Sequence, residues 1–350
     1  MADQQRTRSG TSHSAHPGTP VPATGQHTDR PLGPDSLTWR YFGDWRGILL
    51  ALWAGSMQNM HPQLGAGVEQ HSQFFTERFE RLFRSLYPIY GVVYDGPLAP
   101  RTARQVRGYH RDVSGTDRFG RHYHALDPDT YYWAHATFFM GMIVFNDRLG
   151  ERLSEGVKRE LYAEHVRWYR LYGMSMRPVP PDWESFQRYW EHMCTSVLEV
   201  NQATRDVLDL RQLAKPPSLR WLPDPVWRVV RIPVARGFTW LTVGLYHPSV
   251  RERLGYRWRR RDEVVFRALG RISHACWQLL PFEWRYHPRA RAGWRRARGK
   301  AGAGDEPVET PYRNLPPAAE RASPRHYSPD VPPPRWRRLL GARSRSQPKV

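Results

Sequence analysis

The sequence predicts an all-α protein: a single large helical-bundle domain over residues 35–290, flanked by disordered N- and C-terminal tails. Three observations carry that prediction. Apolar and aromatic residues recur at intervals of three and four along several stretches, the period of a helix with a buried stripe. Period-two alternation is scarce, and the one strand-like run, VVRIPVA at 229–235, contains Pro233, which a central strand does not accommodate. No repeat of fixed length runs through the chain, which excludes a solenoid.

Taken in order, residues 1–34 are polar, rich in Pro, Gly, Ser and Thr, and cannot pack a core. From Gly67 to Tyr87, Val68, Phe74, Phe75, Phe79, Leu82, Phe83 and Leu86 follow helical spacing, with Pro88 placed to end or bend the helix. Beyond Pro97 and Pro100, Thr102, Val106 and Tyr109 fall on one side of a further helix. GTDRFGR at 115–121 reads as a turn. Asp127 and Pro128 resemble a cap and first helical position for DPDTYYWAHATFFMGMIVF, which is apolar nearly all round and belongs inside the domain. Helices are also expected over 154–171, 183–198, 228–245 and 262–280. Residues 291–350, with their Pro, Gly, Ala and Ser, are expected to form a disordered basic tail.

Composition limits the function classes. The 350 residues are 40% hydrophobic and 13% aromatic, with 15 Trp, enough for a sizeable core. Two cysteines, Cys194 and Cys276, exclude a disulfide framework and a four-cysteine zinc site. The net charge of +20 is uneven: residues 291–350 hold 14 Arg or Lys against 5 Asp or Glu. Such a tail suits an anionic membrane surface or nonspecific nucleic acid, or reflects solubility and compositional bias alone. RWRRRDE at 257–263 is the best local basic feature, but no helix-turn-helix or zinc finger stands behind it, so no specific nucleic acid is expected. GILLALWAG and ATFFMGMIVF fall short of the roughly 18 to 20 apolar residues that span a bilayer. The polar start lacks a secretory signal, so a cytoplasmic location is the simplest expectation, with peripheral membrane contact open.

No phosphate loop, HExxH or nucleophile elbow occurs. The Glu164–His165 and Glu191–His192 dipeptides lack the spacing of a di-iron site. His122 and His124 would point the same way from an extended segment, without a third ligand nearby. More informative are histidines set in apolar helices: His71, His110 and His135. Imidazole is an axial haem ligand, and His135, with Trp133, Phe138 and Phe139 around it, is the strongest candidate. The bland reading is a core histidine bonded to a backbone carbonyl. Arg101, Arg104 and Arg107 could meet propionates at a pocket edge. Arg107 and His110, three apart, share a helical face; they position an anion or form an ordinary surface turn.

At these residues the chain resembles the MpaB-like family of helical oxygenases, which includes the catalytic domain of latex-clearing rubber oxygenases. The resemblance runs through WRYFGDWRGILLALWAGSMQNMHPQLGAGVEQHSQF, then VRGYHRDVSGTDRFGRHYHALDPDTYYWAHATF, PVPPDWESFQRYW and LLPFEWRYHP, about residues 38–290. It implies an all-helical domain with haem b, whose iron is held by one proximal histidine. His135, in WAHAT, matches that ligand, and Arg107, in VRGYH with His110, matches a pocket residue; Arg107 or His110 is expected to steady bound oxygen or guide protons. The rubber oxygenases carry an Arg/Lys/Thr cluster where this chain has His110, which points to dioxygen and a small apolar, isoprenoid-like or natural-product substrate rather than a polymer. The alternatives are a noncatalytic haem- or ligand-binding protein and a nucleic-acid-binding protein.

Overall fold

A computed structural model describes residues 30–72, 77–211, 213–219, 221–300 and 307–328. The expected disorder of residues 1–29 and 329–350 lies outside the described residues. The chain forms one predominantly helical bundle, in the order α1 (Leu37–Phe42), α2 (Ala51–Asn59), α3 (Pro62–His71), α4 (Arg78–Tyr94), α5 (Ala99–Gly108), β1 (Ser114–Thr116), β2 (His122–His124), α6 (Pro128–Leu149), α7 (Glu155–Arg170), α8 (Trp183–His192), α9 (Gln202–Leu208), α10 (Asp224–Leu245), α11 (Pro248–Arg253), α12 (Arg260–Gln278), α13 (Phe282–Arg285) and α14 (Pro288–Ala297).

Helix α6 is the axis. Asp127 caps it, its Oδ1 accepting from the Asp129 and Thr130 amides at 3.1 Å, with Pro128 at the first helical position. Its circumference is apolar, so neighbours surround it: α1, α2, α3, α7, α10 and α12 all pack against it. Trp133, Ala136 and Phe139 are fully buried. It stops at Gly150, whose amide bonds the Asn146 carbonyl. Helix α7 is capped by Ser154, whose Oγ accepts from the Val157 amide at 3.3 Å. Buried Glu164 of α7 accepts from the Leu37 and Thr38 amides at 2.9 and 2.7 Å, which satisfies the first turn of α1.

Several local expectations change. The stretch 67–87 is not one helix: α3 ends at His71, and α4 begins at Arg78. Pro88 does not end α4, which continues to Tyr94 because residues 87–94 are wholly buried and neighbours hold the helix past the missing amide. VVRIPVA is helical within α10, Pro233 included. The turn at 115–121 joins a two-stranded antiparallel hairpin pairing Ser114 with His124 and Thr116 with His122. Asp117 Oδ1 accepts from the Phe119 and Arg121 amides, and Gly120 takes φ +79°.

The proposed boundary at 290 falls inside α14, and residues 307–328 lie against the body rather than leaving it. Arg289 of α14 bonds buried Asp95, Nε to Oδ1 at 2.9 Å, and Arg84 donates to the Asn314 carbonyl at 3.3 Å. Tyr327 stacks on Tyr109 at 6.2 Å. Among the described residues, no helix is long and apolar enough to cross a membrane.

Candidate functional site

A cavity of about 450 Å³ opens beside α6. Helix α6 supplies Tyr131, His135 and Phe138; α2 supplies Ala54 and Gln58; α4 supplies Arg81, Arg84 and Tyr90. The end of α5 adds Tyr109 and His110, and Tyr172 follows α7. The C-terminal segment closes one side with Arg325, His326 and Tyr327. The walls are mainly apolar and aromatic, with a few polar groups converging, the usual build of a small-molecule site.

His135 is 2% exposed and borders this cavity. Its ring stacks on His165 at 4.5 Å and meets the Trp168 edge at 4.7 Å and the Tyr172 edge at 5.5 Å. Nε2 lies 3.5 Å from the His165 carbonyl, the long limit of a hydrogen bond. Nδ1 is buried with no hydrogen-bond partner among the described residues. Burial, opposed only by that carbonyl, lowers the His135 pKa to about 3, so the imidazole is neutral at physiological pH. Both readings of this residue therefore meet in one side chain: a carbonyl-bonded core histidine that also carries an unsatisfied nitrogen beside a cavity. An orphaned buried nitrogen costs stability unless something binds it.

His110 borders the same cavity. Its Nδ1 pairs with the Val106 carbonyl at 2.9 Å and must donate there, which leaves Nε2 as the unprotonated nitrogen. Burial lowers its pKa, the Val106 bond raises it, and nearby Arg81 lowers it again. The Tyr131 ring meets it edge-on at 5.7 Å.

Arg104 and Arg107 are elsewhere. They border a separate cleft with Arg111, Leu126, Pro128 and Gly173, and Arg107 donates to the Gly173 carbonyl at 3.0 Å. This corrects the expectation that Arg107 and His110 share a face. Helix α5 ends at Gly108, and the His110 amide bonds the Arg107 carbonyl three residues back, so the chain turns and the two side chains diverge. Trp133 does not border the cavity either; it stacks on Trp190 at 4.9 Å and donates from Nε1 to the Met57 carbonyl at 3.0 Å. Phe138 borders the cavity.

The basic groups at the cavity come instead from α4 and from Arg325 of the C-terminal segment. Arg81 is half-buried, donates to Ser72 Oγ, and has its pKa lowered to about 10 by burial first and by Arg84 second. It remains charged at neutral pH. Arg84 is buried and paired with Glu77. The sequence signal was there, since Arg78, Arg81 and Arg84 recur every third residue opposite the phenylalanines of the same stretch. The Glu164–His165 dipeptide carries no metal spacing, and its sequence alone gives no sign that His165 packs against His135. His122 and His124 do point the same way, both exposed around buried Tyr123. Among the described residues, no three His, Cys, Asp or Glu side chains converge to hold a bare metal ion.

Comparison with known proteins gives one match. The family described as ER-bound oxygenase mpaB/B'/Rubber oxygenase, catalytic domain, matches residues 39–275. No curated protein and no solved structure matches the chain.

Proposed function

The chain belongs to the mpaB/rubber oxygenase catalytic-domain family, and we propose that it is a haem b-dependent oxygenase acting with dioxygen on a small apolar substrate, such as an isoprenoid or natural product. Family membership supports a haem-binding, oxygenase-type role in general. The observation that carries the finer reading is His135: a neutral, dry imidazole at a cavity wall, with one nitrogen near a carbonyl and the other without a partner among the described residues.

That arrangement fits a histidine that would hold a haem iron. A ligating histidine ordinarily directs its second nitrogen to a carbonyl, which fixes the tautomer and ring orientation. Here the His165 carbonyl takes that part, while His165, Trp168 and Tyr172 hold the ring in place. Haem, when bound, supplies the one-electron and dioxygen chemistry that no side chain provides. Phe138 and Tyr131 offer apolar contact to a macrocycle or substrate, and Arg81 offers a charged partner for a carboxylate. His110, with Nε2 unprotonated and Nδ1–H anchored on Val106, can accept a proton at Nε2 and return it. Tyr131, Phe138 and the segment carrying Tyr327 limit water around these groups.

The test is His135→Ala, compared with the parent chain after reconstitution with haem. The expected result is loss of the parent's Soret band or a changed ligation spectrum, with the helical circular dichroism retained. Native ligation in His135→Ala would transfer the role to another histidine. Oxygen uptake against a panel of isoprenoids and apolar natural products then separates an oxygenase from a chain that binds haem without turnover.

A further inference from the structure

Twelve of the fourteen large hydrophobic side chains that stand exposed among the described residues fall between Trp221 and Trp284. They concentrate on α10 and α12. Val229 and Ile232 of α10 are 69% and 49% exposed; Ile272 of α12 is 62% exposed, and Leu279 just beyond it 85%. Single exposed hydrophobes are ordinary, but a run of this kind marks a surface that something covers. Val265, Leu269 and Ile272 of α12, continued by Leu279 just past its end, follow helical spacing, so they form one stripe. The other sides of both helices are already used. Trp240 packs on Phe266 at 5.4 Å, and Gly270 sits against the Arg148 carbonyl of α6.

The same helices expose cations. Arg228 and Arg236 on α10, and Arg260, Arg261, Arg267 and Arg271 on α12, are all exposed. Of these, only Arg267 is in a salt bridge among the described residues, with Glu263. Residues 224–285 hold 12 Arg and 5 Asp or Glu. We propose that the exposed face of α10 and α12 is a docking surface for an anionic phospholipid bilayer. Its Val, Ile and Leu side chains enter the boundary between headgroups and acyl chains, and its arginines lie against lipid phosphates. Charge selects this occupant. Two copies of the face would set guanidinium against guanidinium, and a nucleic acid would leave the apolar stripe in water. The contact is interfacial, since no described helix can span. It stands independently of any cofactor.

The test uses the full chain and vesicles of phosphatidylcholine alone or with about 30% phosphatidylglycerol, read by co-sedimentation. Binding to the anionic vesicles is expected, weakened when salt rises from about 0.1 to about 0.5 M. The triple variant Ile232→Glu, Ile272→Glu, Leu279→Glu should lower the partition coefficient by about tenfold or more, with unchanged circular dichroism and melting temperature. Should that variant misfold, Arg228→Ser, Arg236→Ser, Arg271→Ser keeps the apolar face and should lose the preference for anionic vesicles. Three results overturn the proposal: no binding to either vesicle; binding unaffected by these variants but abolished by Arg335→Ser, Arg337→Ser, Arg338→Ser in the tail; or a dimer in sedimentation velocity that the triple glutamate variant dissociates.

Discussion

At the scale of single residues, the deepest ionic group is structural rather than chemical. Asp95 is 1% exposed and accepts from Arg289 Nε at 2.9 Å and Thr102 Oγ1 at 2.7 Å. The Arg289 guanidinium lies so close over Gly91 that a Cβ there would collide with it. A buried pair of this kind adds little net stability while intact, but removing one partner strands the other. Asp95→Ala is therefore expected to cost about 3–5 kcal/mol in urea unfolding; a loss below 1 kcal/mol would mean that Arg289 finds water. His110 makes the opposite kind of prediction. His110→Phe preserves volume and apolar contact with Tyr131 but removes the proton acceptor. It should lower turnover by about 10²-fold with haem content retained, and by more than Arg107→Ala, since Arg107 borders a different cleft.

Among the elements, α6 was the most legible and the C-terminal segment the least. A run apolar on every side has to be surrounded, so the central place of α6 follows from its residues alone, and Asp127–Pro128 marked its start. The facing of side chains near the end of α5 was not legible. Spacing of three implies a shared face only while the helix continues, and it stops at Gly108. The composition of segment 307–328 predicts disorder, because Pro, Ala and Ser cannot build a core. Such residues can still lie on a surface built by others: Tyr327 Oη donates to Asp112 at 2.5 Å, and His326 Nδ1 sits 3.0 Å from Glu77. That segment shapes one side of the candidate site, a part no local motif announced. Helix packing supplies a sharper test. A Cβ at Gly270 would fall on the Arg148 carbonyl, which is backbone and cannot swing aside. Gly270→Ala should force α12 from α6 and cost about 1–3 kcal/mol, read as a lowered denaturation midpoint with unchanged slope.

For the whole molecule, stability should depend on pH through buried histidines. Burial lowers His61 to about 4 and His287 to about 3, the latter also through Arg289 and Arg291 nearby. Both folded values lie below the ordinary value of 6.5. The unfolded chain therefore binds protons that the folded chain refuses as pH falls below 6.5. Their contribution is complete above that value and is lost on acidification toward the folded values. His135, lowered to about 3 by the same burial, is a third such ring, so with three such protons stability should fall by roughly 4 kcal/mol per pH unit between about pH 6 and pH 4. The measurement is urea unfolding across that range. A flat profile between pH 7 and pH 5 would show these rings to be solvated.

The central claim is that the cavity beside His135 serves a haem. The most direct measurement is the optical spectrum of the purified chain reconstituted with haem, with haem and iron quantified against protein. The account predicts a Soret band at one haem per chain. A folded protein that shows no Soret band and retains no stoichiometric haem would contradict it.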